Sequence, residues 1–227
     1  MKALLFKELR LAMHPICYVF VALFPLMILI PSYPIGIGFI YVLTCYPILF
    51  LGANKGQQSN DLLYSVLLPV RKKDIVLARI LTVVLMQTAF ILLSSALYPL
   101  SRMIITLVVQ SAENPAEFKI PGLGLDSYVL LLAIAIIGYA LADLIFFPIY
   151  YKKGKSIVMS TLFTILGFVA YISIVTIALP FVPGFEIMNN MHVGIQFAVL
   201  SGAILFSFLL HFVVYKIASK RLEKVDF

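Results

Sequence analysis

Apolar segments close to the length of a bilayer crossing follow one another along this chain and leave little sequence for anything else. They span about 15–30, 35–52, 75–100, 128–149, 157–179 and 193–215. A hydrocarbon core about 30 Å thick takes about 20 residues of helix rising 1.5 Å per residue, so each segment is near the required length, and the first needs its flanks to reach it. Only 12% of residues are charged and 63% are hydrophobic, with a mean hydropathy of +1.08. A soluble domain carries about 25% charged residues, and a chain of 227 residues cannot hide this much apolar surface within itself. Lipid has to solvate it. The expected fold is all-α: one polytopic transmembrane domain over 1–227 with six transmembrane helices.

The net charge of +7 would point to nucleic acid in a soluble protein. Here the charges lie in short loops between apolar runs, so anionic headgroups explain them and nucleic acid is not an expected partner. With six spans, every one of the 17 lysines and arginines except Arg102 and Lys119 falls on the side of the amino terminus. Positive charge marks the cytoplasmic face, so both termini are expected inside, with an even number of spans.

The connecting segments have characters of their own. Residues 1–12 open with MKALLFKELR, in which Lys2, Lys7, Glu8 and Arg10 interleave with leucines and Phe6. That pattern predicts an interfacial helix, retained rather than cleaved as a signal. The loop 53–74 is the longest polar interruption. Within it Leu62, Leu63, Val66 and Leu67 fall on one side of a short helix and Asp61, Tyr64, Ser65 and Leu68 on the other; Pro69 stops it, and Arg71, Lys72 and Lys73 follow. This is the profile of a handle at the cytoplasmic surface. Residues 101–125 form the expected external loop, with the apolar piece 103–109 lying in the interface, and the proline-rich 180–192 reads as a re-entrant external element.

Chemistry is sparse. The GKS at Gly154 to Ser156 lacks the first glycine of a phosphate loop, since Ile149 stands there, and no HExxH, GxSxG or acidic metal cage is present. No cluster of ionisable groups at one depth is legible, which argues against a membrane enzyme. The two charges inside the membrane zone are Arg79 and Asp143, and an antiparallel third and fourth span would bring them within reach as an ion pair. The bland alternative has Arg79 snorkelling to the headgroups. Gln87, Ser94, Ser95, Gln196 and His211 read as hydrogen-bonders between helices. Gly138 with Ala142, and Ala198 with Gly202, have the small-xxx-small spacing that permits close helix approach. Cys17 and Cys45 read as buried apolar residues.

The opening MKALLFKELRL, the six spans and above all LLYSVLLPVRKKDIVLARIL after the second span resemble the permease subunits of ABC transporters of the type-2 exporter class. The resemblance implies a half-transporter of the bacterial cytoplasmic membrane, pairing with a second permease copy, identical or different, and engaging a separate cytosolic ATPase subunit. That subunit would bind ATP and Mg; this chain would hold no cofactor and would not itself be an enzyme. On the family's pattern the loop after the second span is a coupling helix seated on the ATPase, with Asp61, Tyr64, Ser65 and Leu68 as its contacts, and residues 1–12 are the elbow. The small external region is closest to exporters of amphipathic or antimicrobial peptides. A membrane-embedded enzyme acting on lipids or peptides, or a non-transporting immunity or sensor subunit, is the competing expectation.

Overall fold

The computed structural model describes residues 2–13, 15–29, 70–111, 128–153, 157–178, 181–183 and 193–224. The expected second span, the coupling-helix residues Asp61, Tyr64, Ser65 and Leu68, residues 112–125 and most of the 180–192 element lie outside the described residues. Within them every regular element is helical. Among the described residues four helices are long and apolar enough to cross a membrane, or five if the bent amino-terminal pair is one span.

The chain begins with α1 (Lys2–Lys7), which widens into a π-turn over Glu8–Ala12. The wide turn is closed by the Met13 N–H on the Glu8 carbonyl, 3.0 Å. Next comes α2 (Pro15–Leu23), bent by 82° from the preceding segment. The Tyr18 hydroxyl donates to the Leu9 carbonyl at 2.5 Å, tying the two arms of that bend together. Pro25 has no N–H for the Val21 carbonyl, and from Phe24 to Leu29 the helix continues in the tighter 3-10 form.

Helix α3 (Lys72–Ser111) is a single element of 40 residues. Arg71 and Asp74 open it: the Asp74 N–H meets the Arg71 carbonyl at 2.9 Å and the two side chains pair at 3.5 Å, placing an acid in the first turn where the helix dipole favours it. The sequence predicts a break after residue 100 and an interfacial piece beyond. Instead the helix continues through Pro99. Contacts beyond the proline hold it: Ile105 is buried, and the buried Ser101 hydroxyl donates to the Ile28 carbonyl at 2.6 Å. That bond also gives a donor to a carbonyl in the last turn of the 3-10 segment.

Three more helices follow, α4 (Tyr128–Lys153), α5 (Ile157–Ala178) and α6 (Val193–Glu223). The last runs eight residues past the expected end at Tyr215, and Lys220 and Arg221 in its final turn suit the negative end of the dipole. The core forms around α4, which packs along α6 on one side and α5 on another. Tyr139, Ala142, Phe146, Phe147 and Tyr151 of α4 are buried with Phe90 of α3, Cys17 of α2, Phe168 of α5 and Val214 of α6. Glycine sets the α4–α5 distance. A Cβ at Gly138 would lie 2.7 Å from the Phe168 ring and 3.0 Å from that of Tyr171, and a Cβ at Gly167 would strike Ile145. Gly138, the first residue of the Gly138 and Ala142 pair, therefore marks a close approach. At Gly202, in the other small pair, no described residue lies within 4 Å of such a Cβ.

Outward faces are strongly apolar. Val158, Leu166, Ile174 and Ile177 of α5 and Leu205, Phe208, Leu209 and Phe212 of α6 are exposed. Such a surface is at home in hydrocarbon and unsuited to water.

Candidate functional site

Polar side chains gather between α3 and α4 at three successive heights. The helices run antiparallel, with Arg79 opposite Tyr150, Gln87 opposite Asp143, and Ser95 opposite Tyr128.

At the first height, Arg79 donates through Nε to Oε2 of Glu8 at 3.2 Å and through Nη1 to the Tyr150 hydroxyl at 2.9 Å. Its guanidinium carbon also lies 6.0 Å from the Tyr150 ring centroid, within cation–π range. The Lys7 ammonium is 3.5 Å from the other carboxylate oxygen of Glu8. Glu8 and Arg79 are 3% and 2% exposed, so neither charge is hydrated; Glu8 compensates the guanidinium and is itself compensated by Arg79 and Lys7. Glu8 follows Leu4 by one helical turn, so both face the core while Phe6 and Arg10 face outward, with the Arg10 guanidinium 5.5 Å from the Phe6 ring centroid. Just below, Lys73 pairs with Glu223 at 3.3 Å and Arg221 donates to the Pro148 carbonyl, joining the start of α3 and the end of α6 to this base.

At the second height, Asp143 is wholly buried. Its Oδ2 accepts from the Gln87 amide at 3.2 Å and lies 3.0 Å from Nε2 of His211. Three helices thus meet on one carboxylate oxygen. The Nδ1 atom of His211 lies 2.7 Å from the carbonyl oxygen of Ser207 and 3.3 Å from its hydroxyl. At the third height, Ser95 and Tyr128 hydroxyls are 3.3 Å apart and the Tyr98 and Tyr128 rings stack at 4.0 Å.

In this register the contacts described for Arg79 and Asp143 are other than the expected ion pair. Arg79 is engaged by Glu8 and Tyr150, and Asp143 by Gln87 and His211. Eight residues of α3 separate Arg79 from Gln87, about 12 Å of helix rise, so the two charges stand at different heights. Glu8 was the missing partner. It reads in the sequence as part of a polar edge, whereas the fold turns it inward. The expectation that no ionisable groups share one depth is also overturned, by Asp143 and His211. Gln87, Ser95 and His211 do bond between helices as their placement in apolar spans predicts.

Serine, histidine and aspartate in one line invite comparison with a hydrolytic triad. The imidazole is turned the wrong way for it: Nδ1, the nitrogen near the Ser207 hydroxyl, sits closer to a backbone carbonyl, which can only accept, and so acts as a donor rather than as a base for serine. Among the described residues no group of three or more His, Cys, Asp or Glu side chains could hold a metal ion. Comparison with protein-family models, curated proteins and solved structures finds no match for this chain.

Proposed function

We propose that this chain is the membrane-spanning permease subunit of an ATP-driven exporter of the ABC type-2 class. Two permease copies form the path, separate cytosolic ATPase subunits bind ATP and Mg, and amphipathic or hydrophobic peptides are the cargo. The resemblance of the segment after the second span supports this reading. The structural observation that carries it is the fastening of Arg79. Helix α3 starts at Lys72, directly after residues 61–69, and two turns later its buried arginine is bonded at once to Glu8 of the amino-terminal segment and Tyr150 of α4. A displacement delivered to residues 61–71 would therefore reach three elements together instead of being absorbed at one helix end.

In this account, closure of the ATPase dimer moves the coupling helix through Asp61, Tyr64, Ser65 and Leu68. Helix α3 and its partners then tilt as a unit, opening a route between the two permease copies. The bent amino-terminal pair acts as the elbow. A membrane enzyme is the lesser reading, because its best constellation, Ser207, His211 and Asp143, lacks a correctly oriented base.

The test uses the permease reconstituted with its ATPase in liposomes. Leu68→Asp and Tyr64→Ala should insert normally, allow ATP hydrolysis and abolish most peptide export. Unchanged export in both variants would refute the coupling assignment.

A further inference from the structure

We propose that His211 and Asp143 form an intramembrane proton-binding site, in which one exchangeable proton lies between Nε2 and Oδ2 and joins α6 to α4. The inference is independent of the ATP-driven reading, because it rests only on donors and acceptors. The carbonyl oxygen of Ser207 lies 2.7 Å from Nδ1 and can only accept, so Nδ1 carries a hydrogen. The hydroxyl of Ser207, at 3.3 Å, is the weaker contact and does not reverse that assignment. With Nδ1 protonated, a neutral imidazole would direct its Nε2 lone pair at the carboxylate.

Two acceptors 3.0 Å apart, with Asp143 fully buried, would repel without water to relieve them. A proton between them removes the conflict. Held on Nε2 it makes an imidazolium beside a carboxylate; held on Oδ2 it makes a carboxylic acid beside a neutral imidazole. In both cases the pair binds one proton more than a neutral histidine facing a carboxylate, and no other atom has to change its state. Gln87 donates its amide to the same oxygen and leaves the count unaltered.

Among the described residues, the charged and titratable groups on the packed helices have partners of their own. On α3 the nearest charged residue in sequence is Arg79, already on Glu8 of the amino-terminal segment. On α4 the neighbouring titratable groups are Tyr139 and Tyr150, and the latter accepts from Arg79. On α5 the Tyr171 hydroxyl donates to the Ile134 carbonyl. On α6 the Lys216 ammonium lies 4.5 Å from the Phe212 ring centroid. The histidine is the more accessible of the two side chains, 17% exposed against 0% for Asp143.

The experiment is nitrogen-15 NMR of histidine-labelled protein in lipid nanodiscs, with His14→Gln and His192→Gln leaving His211 as the single signal, together with infrared detection of a protonated Asp143. At neutral pH the wild-type pair should show Nδ1–H plus one bridging proton, seen as Nε2–H or as a carboxylic-acid band. Asp143→Asn should keep Nδ1–H and lose the bridging proton entirely. If that variant does not fold, His211→Gln serves in its place: its amide donates to the carboxylate, so the carboxylic-acid band should be missing. A neutral imidazole facing a bare carboxylate in the wild type, a bridging proton that survives Asp143→Asn, or a carboxylic-acid band that persists in His211→Gln would overturn the proposal.

Discussion

Glu8 and Arg79, 71 residues apart in sequence, meet at 3.2 Å with side chains that are 4% and 2% exposed. Taking either away would remove a charged partner of the other in a buried setting, and breaking a buried pair from one side costs about 3–5 kcal/mol, with Arg79→Gln toward the low end because Glu8 keeps Lys7. Glu8→Gln and Arg79→Gln should each lower stability in detergent by an amount of that order, and the double variant by much less than their sum. Arg79→Gln combined with Asp143→Asn should instead be close to additive, because the two residues belong to different heights of the α3–α4 junction. Equilibrium unfolding of the single and double variants measures both couplings.

Glycine substitutions should separate packed from open helix faces. At Gly138 a new Cβ meets two aromatic rings, so Gly138→Leu should push α5 from α4 and destabilise by about 1–3 kcal/mol. At Gly202 the space is open, and Gly202→Ala should stabilise the helix by up to about 1 kcal/mol if this face meets only lipid. Thermal unfolding of both variants checks the contrast.

Spans were legible because an apolar run of bilayer length has few other uses. The sequence places α4 and α5 within a few residues of their observed ends. It misplaces the end of α3, because Pro99 and Arg102 resemble a terminus and only the contact from Ser101 to Ile28 reveals why the helix goes on. Individual polar residues in spans were also legible, since Gln87, Ser95 and His211 have no water to bond. Their partners were not. Nothing local in KALLFKELR distinguishes an outward Glu8 from an inward one; the contact with Arg79, far along the chain, decides it. The Asp143 and His211 contact needs the register of α4 against α6, which hydropathy does not encode.

The bond from Ser101 to Ile28 gives a test of the far end of α3. Ser101→Ala leaves a buried carbonyl without this donor and should cost about 1–3 kcal/mol. Thr106→Ala, whose hydroxyl bonds back to Arg102 on an exposed face, should change stability by less than about 0.5 kcal/mol. Parallel unfolding curves provide the comparison.

If the Arg79 junction transmits the coupling motion, weakening it without unfolding the protein should uncouple it. Tyr150→Phe removes one bond to the guanidinium and keeps the ring. Reconstituted with the ATPase, it should retain hydrolysis and lose severalfold in peptide export per ATP. Equal export per ATP in variant and wild type would confine Tyr150 to a packing role.

The central claim is that residues 61–73 form a cytoplasmic lever gripped by an ATPase, and a photo-crosslinker at position 68, activated in membrane vesicles of known orientation, tests it most directly. The account predicts a crosslink to a nucleotide-hydrolysing subunit from the cytoplasmic side, with a yield that changes when ATP is added. A position 68 reachable only from the outer side, or one that never crosslinks to such a subunit, would contradict it.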